Sequence, residues 1–176
     1  MYLNAGTYTG NLTIQGFWGP GRLQITTNAA AADVVINGVI QITGCTANIT
    51  MAGTASSRIR VNCPAVSDTA TCVSITRCAD VSISYVAADG VGNLHAADSR
   101  GIGVGAARAY LYGCDMARVK HGVYATYNSI VHVRSCFGGA NIISGYGMYA
   151  VYGALIHGYH YPAAAVGASY SQAATV

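Results

Sequence analysis

Six aspartates (Asp33, Asp68, Asp80, Asp89, Asp98 and Asp115) supply all the side-chain carboxylates of this 176-residue chain, which contains no glutamate. Glycosidic bond hydrolysis uses two carboxyl groups about 5–9.5 Å apart, so the possible catalytic pairs are few. Asp80 and Asp115 stand two and one residues past the cysteines of a repeated motif and form the first candidate pair. Their competing role is turn chemistry, a short carboxylate accepting from nearby backbone N–H groups. Asp89, His95 and Asp98 share one irregular stretch with Arg100 and form a second candidate acid/base cluster, against the alternative of a solvated loop. Arg77, Arg118 and Lys120 are the cations a lyase would use as a base, and nothing marks one of them. The acids do not cluster as a calcium site requires. His157-Gly-Tyr-His160 stands too alone for zinc, and no Cys-x-x-Cys occurs. Gly101-Ile-Gly-Val-Gly105 lacks the strand–helix context of a nucleotide loop. No metal and no cofactor are therefore expected.

The element that positions these residues is a short strand that recurs. Val39-Ile-Gln-Ile-Thr-Gly-Cys45 is repeated by Cys72-Val-Ser-Ile-Thr-Arg-Cys78, Ala109-Tyr-Leu-Tyr-Gly-Cys114 and Ile130-Val-His-Val-Arg-Ser-Cys136. Leu12-Thr-Ile-Gln-Gly-Phe17 and Ala154-Leu-Ile-His-Gly-Tyr159 are looser copies. The anchors at 17, 45, 78, 114, 136 and 159 are spaced by 28, 33, 36, 22 and 23 residues. A strand returning at a base period near 22 predicts a parallel β-solenoid. Alternation places Ile40, Ile42, Val73, Ile75, Ile59, Val61, Val81 and Ile83 inside, with Tyr85 as a further candidate. Stacked in successive coils as one column, the outward residues read Thr13/Gln15, Gln41/Thr43, Ser74/Thr76, Tyr110/Tyr112, His132/Arg134 and Leu155/His157. The face begins as hydroxyls and amides and turns aromatic and cationic. Tyr110, Tyr112, His132, Arg134 and His157 are thus candidates for sugar binding by stacking and hydrogen bonding. They equally suit a subunit interface, where Tyr and Arg are enriched, or a plain exterior.

Along the chain, residues 1–10 begin in mid-strand with no capping helix, which predicts a fragment or an end closed by another subunit or domain. Pro64–Thr71 is expected as a loop, and Ala87–Gly101 as the longest irregular stretch, lengthening the 36-residue coil. Gly122-Val-Tyr-Ala-Thr-Tyr-Asn128 and Gly147-Met-Tyr-Ala-Val-Tyr-Gly153 form a second repeat, so Tyr124/Tyr149 and Tyr127/Tyr152 are expected as stacked ladders. The domain reading is a β-helix over 1–161 and an Ala/Ser/Gly-rich cap or linker over 162–176.

Charged residues make up 9% of the chain and the net charge is +3. The eight arginines and one lysine are scattered, with no basic run, which argues against a nucleic-acid partner. No apolar run reaches the ~18 residues of a membrane span, and Met1-Tyr-Leu-Asn does not start a signal peptide. So weakly charged a surface suggests coverage by copies of the same chain. Cys45, Cys78, Cys114 and Cys136 occupy one motif position and predict a buried thiol ladder, with bridges between neighbouring coils geometrically open. Cys63 and Cys72 bracket Pro64–Thr71 and leave a local disulfide open as a further alternative.

Leu3-Asn-Ala-Gly-Thr-Tyr-Thr9 opening into Leu12-Thr-Ile14, the repeated strand–Gly–Cys turns, and the paired Gly-Val-Tyr-Ala and Gly-Met-Tyr-Ala segments resemble the pectate-lyase-like right-handed β-helix of bacteriophage tail fibres and tailspikes, over roughly residues 2–160. The resemblance implies a single-stranded right-handed parallel β-helix of about seven coils, a homotrimer, a virion location and binding of bacterial surface polysaccharide. The expected function is a structural, receptor-recognising segment without catalysis. The alternatives are a polysaccharide depolymerase of the same fold and a bacterial surface adhesin solenoid.

Overall fold

The computed structural model describes residues 1–28, 33–64, 70–90, 98–138, 145–159 and 170–172. Its strands follow one another in threes. The first coil holds β1 (Tyr2–Asn4), β2 (Gly6–Thr9) and β3 (Leu12–Gln15), and the second β4 (Arg22–Asn28), β5 (Val34–Asn37) and β6 (Ile40–Thr43). The third holds β7 (Asn48–Ala52), β8 (Ile59–Asn62) and β9 (Thr71–Thr76); the fourth β10 (Val81–Ser84), β11 (Val86–Asp89) and β12 (Arg100–Gly105). The fifth holds β13 (Arg108–Tyr112), β14 (Asp115–Ala117) and β15 (His121–Thr126); the sixth β16 (Ile130–Arg134), β17 (Phe137–Gly138) and β18 (Met148–Ala150); the last β19 (Leu155–Tyr159) and β20 (Tyr170–Gln172). Every third strand pairs in parallel. The result is sheet A (β1-β4-β7-β10-β13-β16-β19), sheet B (β2-β5-β8-β11-β14-β17) and sheet C (β3-β6-β9-β12-β15-β18-β20). The molecule is a single-stranded parallel β-helix of about seven coils.

The core follows from the period-2 alternation of β-branched residues. Inward columns run through successive coils: Ile25–Met51–Ile83–Leu111–Val133 on sheet A, Ile42–Ile75–Val104–Ala125 on sheet C, Ile36–Val61–Ala88–Met116 on sheet B. All are 0–3% exposed. At about 1.5–3 kcal/mol for each large side chain removed from water, these columns hold the coils together.

The six motif copies do not share one column. The first three lie on sheet C (β3, β6, β9) and the last three on sheet A (β13, β16, β19). β9 continues into β12, with Ile75 opposite Val104, whereas the strand before Cys114 continues β10, with Val81 opposite Ala109. The physical reason is that a strand followed by a tight left-handed turn and a small buried thiol suits two different corners of the coil. The 36-residue interval is therefore a coil plus one further strand, and Ala87–Gly101 is not a single loop: Val86–Asp89 is β11 and Arg100 opens β12. The expected four-thiol ladder becomes two pairs. Cys45 and Cys78 sit at the C-to-A corner, where their thiols donate to the Ile14 and Ile42 carbonyls of the preceding coil. Cys114 and Cys136 sit at the A-to-B corner, where Cys114 Sγ donates to the Ile83 carbonyl. All six cysteines are buried thiols, and Cys63 and Cys72 meet through a side-chain hydrogen bond. The Cys136 contact and burial push the Cys114 thiol well above its ordinary range, which keeps it an unreactive apolar filler. Tyr85 faces outward, because it sits at the A-to-B corner with φ 52°, where the chain turns out of the strand.

Candidate functional site

The outer face of sheet A presents three rows. The first runs Arg22, Asn48, Asp80 (just before β10), Arg108, Ile130 and Leu155. The second runs Gln24, Thr50, Ser82, Tyr110, His132 and His157, and the third Thr26, Ala52, Ser84, Tyr112 and Arg134. Parallel strands lie about 4.8 Å apart, close to ring-stacking distance, so like side chains in one row stack. Tyr110 and His132 are 4.9 Å apart at 7°, and His132 and His157 5.2 Å apart at 12°. The stack stops at Ser82, which carries no ring. One face of Tyr110 is thereby left open above small residues, and a cavity of about 220 Å³ lies there, lined by Arg22, Asn48, Thr50, Asp80, Ser82 and Tyr110. Arg22 is fixed at its edge by Nε and Nη2 donating to Thr50 Oγ1 at 3.1 and 3.0 Å. Asp80 faces Arg108 at 3.4 Å. In the third row the Tyr112 and Tyr85 rings make a T-shaped contact at 5.4 Å, and the Arg134 guanidinium lies 5.9 Å from the Tyr112 centroid. The five residues expected on one face, Tyr110, Tyr112, His132, Arg134 and His157, are brought together there.

A second aromatic stack borders this face. The C-to-A corner repeats a left-handed residue: Gly16, Gly44, Arg77, Ala106, Tyr127 and Tyr152, with φ from 49° to 68°. That conformation costs a non-glycine residue energy, yet it points the side chain out of the coil. Tyr127 and Tyr152 are 64% and 62% exposed and stack at 5.6 Å and 9°, as their repeat predicts. Their column drops to Ala106 in the coil before, beside a second shallow cavity of about 230 Å³ lined by Ala79, Ala106, Arg108 and Asn128 among others. The Asp80–Arg108 pair borders both cavities.

Asp80 and Asp115 are not brought together. Asp80 precedes a sheet A strand and Asp115 opens β14 of sheet B, so the length of a strand separates them. On sheet B, Asp115 lies 3.9 Å from Arg58; burial, which outweighs the nearby arginines, raises its carboxyl above the usual range, and its Oδ1 is buried without a hydrogen-bond partner. Asp89 is held by Arg118 at 2.6 Å, and Asp33 by Arg60. Asp98 bonds Arg100, so the Asp89/Asp98 grouping is split between two faces; His95 and His160 lie outside the described residues. Asp98 Oδ1 also lies 3.4 Å from Nε2 of His121, which stacks on Tyr149 at 4.9 Å. Arg100 covers the Tyr124 ring at 3.7 Å, and Tyr124 meets Tyr149 at 5.4 Å and 33°, the expected ladder in a tilted form. His121 and Arg22 were not singled out from sequence. His121 had a signal, since it precedes Gly122-Val-Tyr as Tyr146 precedes Gly147-Met-Tyr; Arg22 had none. Among the described residues no three His, Cys, Asp or Glu side chains gather to hold a metal. Among the described residues no helix is long and apolar enough to cross a membrane.

No family model, no curated protein and no solved structure matches this chain.

Proposed function

We propose that this chain is a structural and host-recognition segment of a bacteriophage tail fibre or tailspike, which self-associates as a trimer and binds bacterial surface glycan on sheet A without cleaving it. The observation that carries the reading is the open face of Tyr110 above the Arg22–Thr50–Asp80–Ser82 cavity. An apolar sugar face stacks on such a ring while its hydroxyls meet a carboxylate, a guanidinium and two hydroxyl side chains. The site is carried by paired strands rather than a free loop, so little ordering is needed on binding. The test is a binding screen of bacterial envelope polysaccharides. Tyr110→Ala is expected to weaken a binder roughly tenfold, about 1.4 kcal/mol. Unchanged affinity removes sheet A from the proposal.

A second reading, a polysaccharide depolymerase, is favoured by Asp89 and Asp115. They occupy diagonal outward positions on adjacent strands of sheet B, Asp115 lying opposite Ala87. Strand spacing and rise put their Cα atoms about 8 Å apart. Asp89 is ion-paired while burial raises Asp115, the division of roles that general acid and base require. Loss of polysaccharide cleavage on Asp115→Asn would select this reading over the first.

A further inference from the structure

We infer that the glycan recognised on sheet A is anionic, bearing carboxylate or phosphate groups. This rests on the glycan reading above and adds its charge class.

The argument is the partitioning of the arginines. Away from sheet A they are neutralised: Arg58 by Asp115, Arg60 by Asp33, Arg118 by Asp89 and Arg100 by Asp98. On sheet A and its leading corner there are four arginines, Arg22, Arg77, Arg108 and Arg134, and one carboxylate, Asp80, which Arg108 takes at 3.4 Å. Among the described residues Arg22, Arg77 and Arg134 have no carboxylate within ion-pair distance. Five Arg–Asp pairs cancel; of the other four cations, Arg22, Arg77 and Arg134 lie on this one side of the solenoid and Lys120 at the B-to-C corner.

The three are also placed rather than merely exposed. Arg22 spends Nε and Nη2 on the Thr50 hydroxyl, which orients the guanidinium at the cavity without neutralising it, and its remaining N–H donors stay available. Arg77 occupies the left-handed corner column one coil before Ala106 and two before Tyr127. Arg134 lies over the Tyr112 ring. A guanidinium binds carboxylate or phosphate oxygens through paired N–H donors, and the neighbouring Tyr110 and Tyr127 rings supply the stacking surface for the sugar. Anionic repeats along a polysaccharide would meet these cations in turn. A nucleic acid would need a denser cationic surface than three guanidiniums beside an aspartate.

The test is a titration of the full chain with a panel comprising neutral envelope polysaccharides, uronate-bearing ones, phosphodiester-linked ones and duplex DNA, at two salt concentrations. The variants are Tyr110→Ala, Arg22→Gln with Arg77→Gln, Arg22→Lys, and Arg60→Gln as a sheet B control. The expected result is binding confined to anionic glycans, with uronate or phosphate identified by which arm responds. That binding weakens with salt and falls about tenfold or more in the double arginine variant. It is partly kept by Arg22→Lys and unchanged by Arg60→Gln. Binding of neutral glycans that Tyr110→Ala abolishes and the double arginine variant leaves intact overturns the anionic class while the glycan face stands. Binding of DNA above every glycan, or of no glycan at all, overturns both.

Discussion

Acid is expected to destabilise the solenoid through His121. The residue is 4% exposed, and its ring packs against Tyr149 at 4.9 Å and Tyr146 at 5.9 Å, two rings that themselves stack at 5.3 Å. The groups facing it are Asp98, Arg100 and Lys120, with the Tyr124 ring alongside. Burial lowers its pKa from 6.5 to about 4; Asp98 opposes the shift, and Lys120 and Arg100 add to it. The folded value lies below the unfolded one, so between them the unfolded chain binds more protons and stability rises with pH. The stabilising effect is complete above about pH 6.5 and is lost as pH falls toward 4. At 1.36 kcal/mol per pH unit the full loss is about 3 kcal/mol, and about 2 kcal/mol is gone by pH 5. For a chain of this size that is roughly 4–8 °C in melting temperature. Thermal melts of the native chain and His121→Phe from pH 7.5 to 4 measure it, phenylalanine keeping the stack without the titration. Asp33, in which Arg60 and the Arg58 N–H outweigh burial, is held below 3.8 and acts at lower pH; Asp115, raised by burial, acts with the opposite sign. Both are common to the two proteins and cancel in the difference. Equal pH dependence in both proteins would refute the assignment.

Other outcomes follow from the same geometry. Cys114→Ser is expected to cost about 1–3 kcal/mol in denaturant melts, since a hydroxyl replaces a fully buried thiol; unchanged stability would count against buried thiol packing. Gly101→Ala puts a Cβ 2.6 Å from Met116 Cγ and 2.7 Å from the Gly122 carbonyl oxygen, and overpacking of about 1–3 kcal/mol should appear as a lowered denaturation midpoint. Asp80→Asn is expected to leave polysaccharide chain length unchanged in any cleavage assay, because its nearest charged partner is Arg108 and not a second carboxylate. Light scattering on a sizing column is expected to give three times the 18.1 kDa of one chain; a monomer would remove self-association from the proposal.

Alternation of β-branched residues placed the inward set apart from Tyr85, because strands such as β6, β9 and β16 each bury one face in the same core and side chains alternate strictly until the corner. What the motif could not show was which sheet each copy joins. A strand, a left-handed residue and a buried cysteine occur at Thr43-Gly44-Cys45 and again at Tyr112-Gly113-Cys114, and these corners lie at opposite ends of sheet A strands. The aromatic residues of the candidate face were readable from Tyr110, His132 and His157, since they follow one another in consecutive coils. The cavity was not, because it depends on Ser82 and Thr50 standing in the same row as Tyr110. That row appears only once β10 and β7, which lack the cysteine motif, are placed beside β13. Pairing of Asp115 with Arg58, and of His121 with Asp98, likewise depends on which coils adjoin.

The most direct test of the central claim is an NMR titration of ring-labelled tyrosine and phenylalanine with an oligosaccharide from a polysaccharide that binds. Glycan recognition on sheet A predicts shifts of Tyr110 and then Tyr127, with Tyr8 and Phe137 on sheet B unmoved. Shifts centred on Phe137, which lies opposite Asp115 on β17, with Tyr110 unmoved, would contradict it and move the site to the Asp89–Asp115 face.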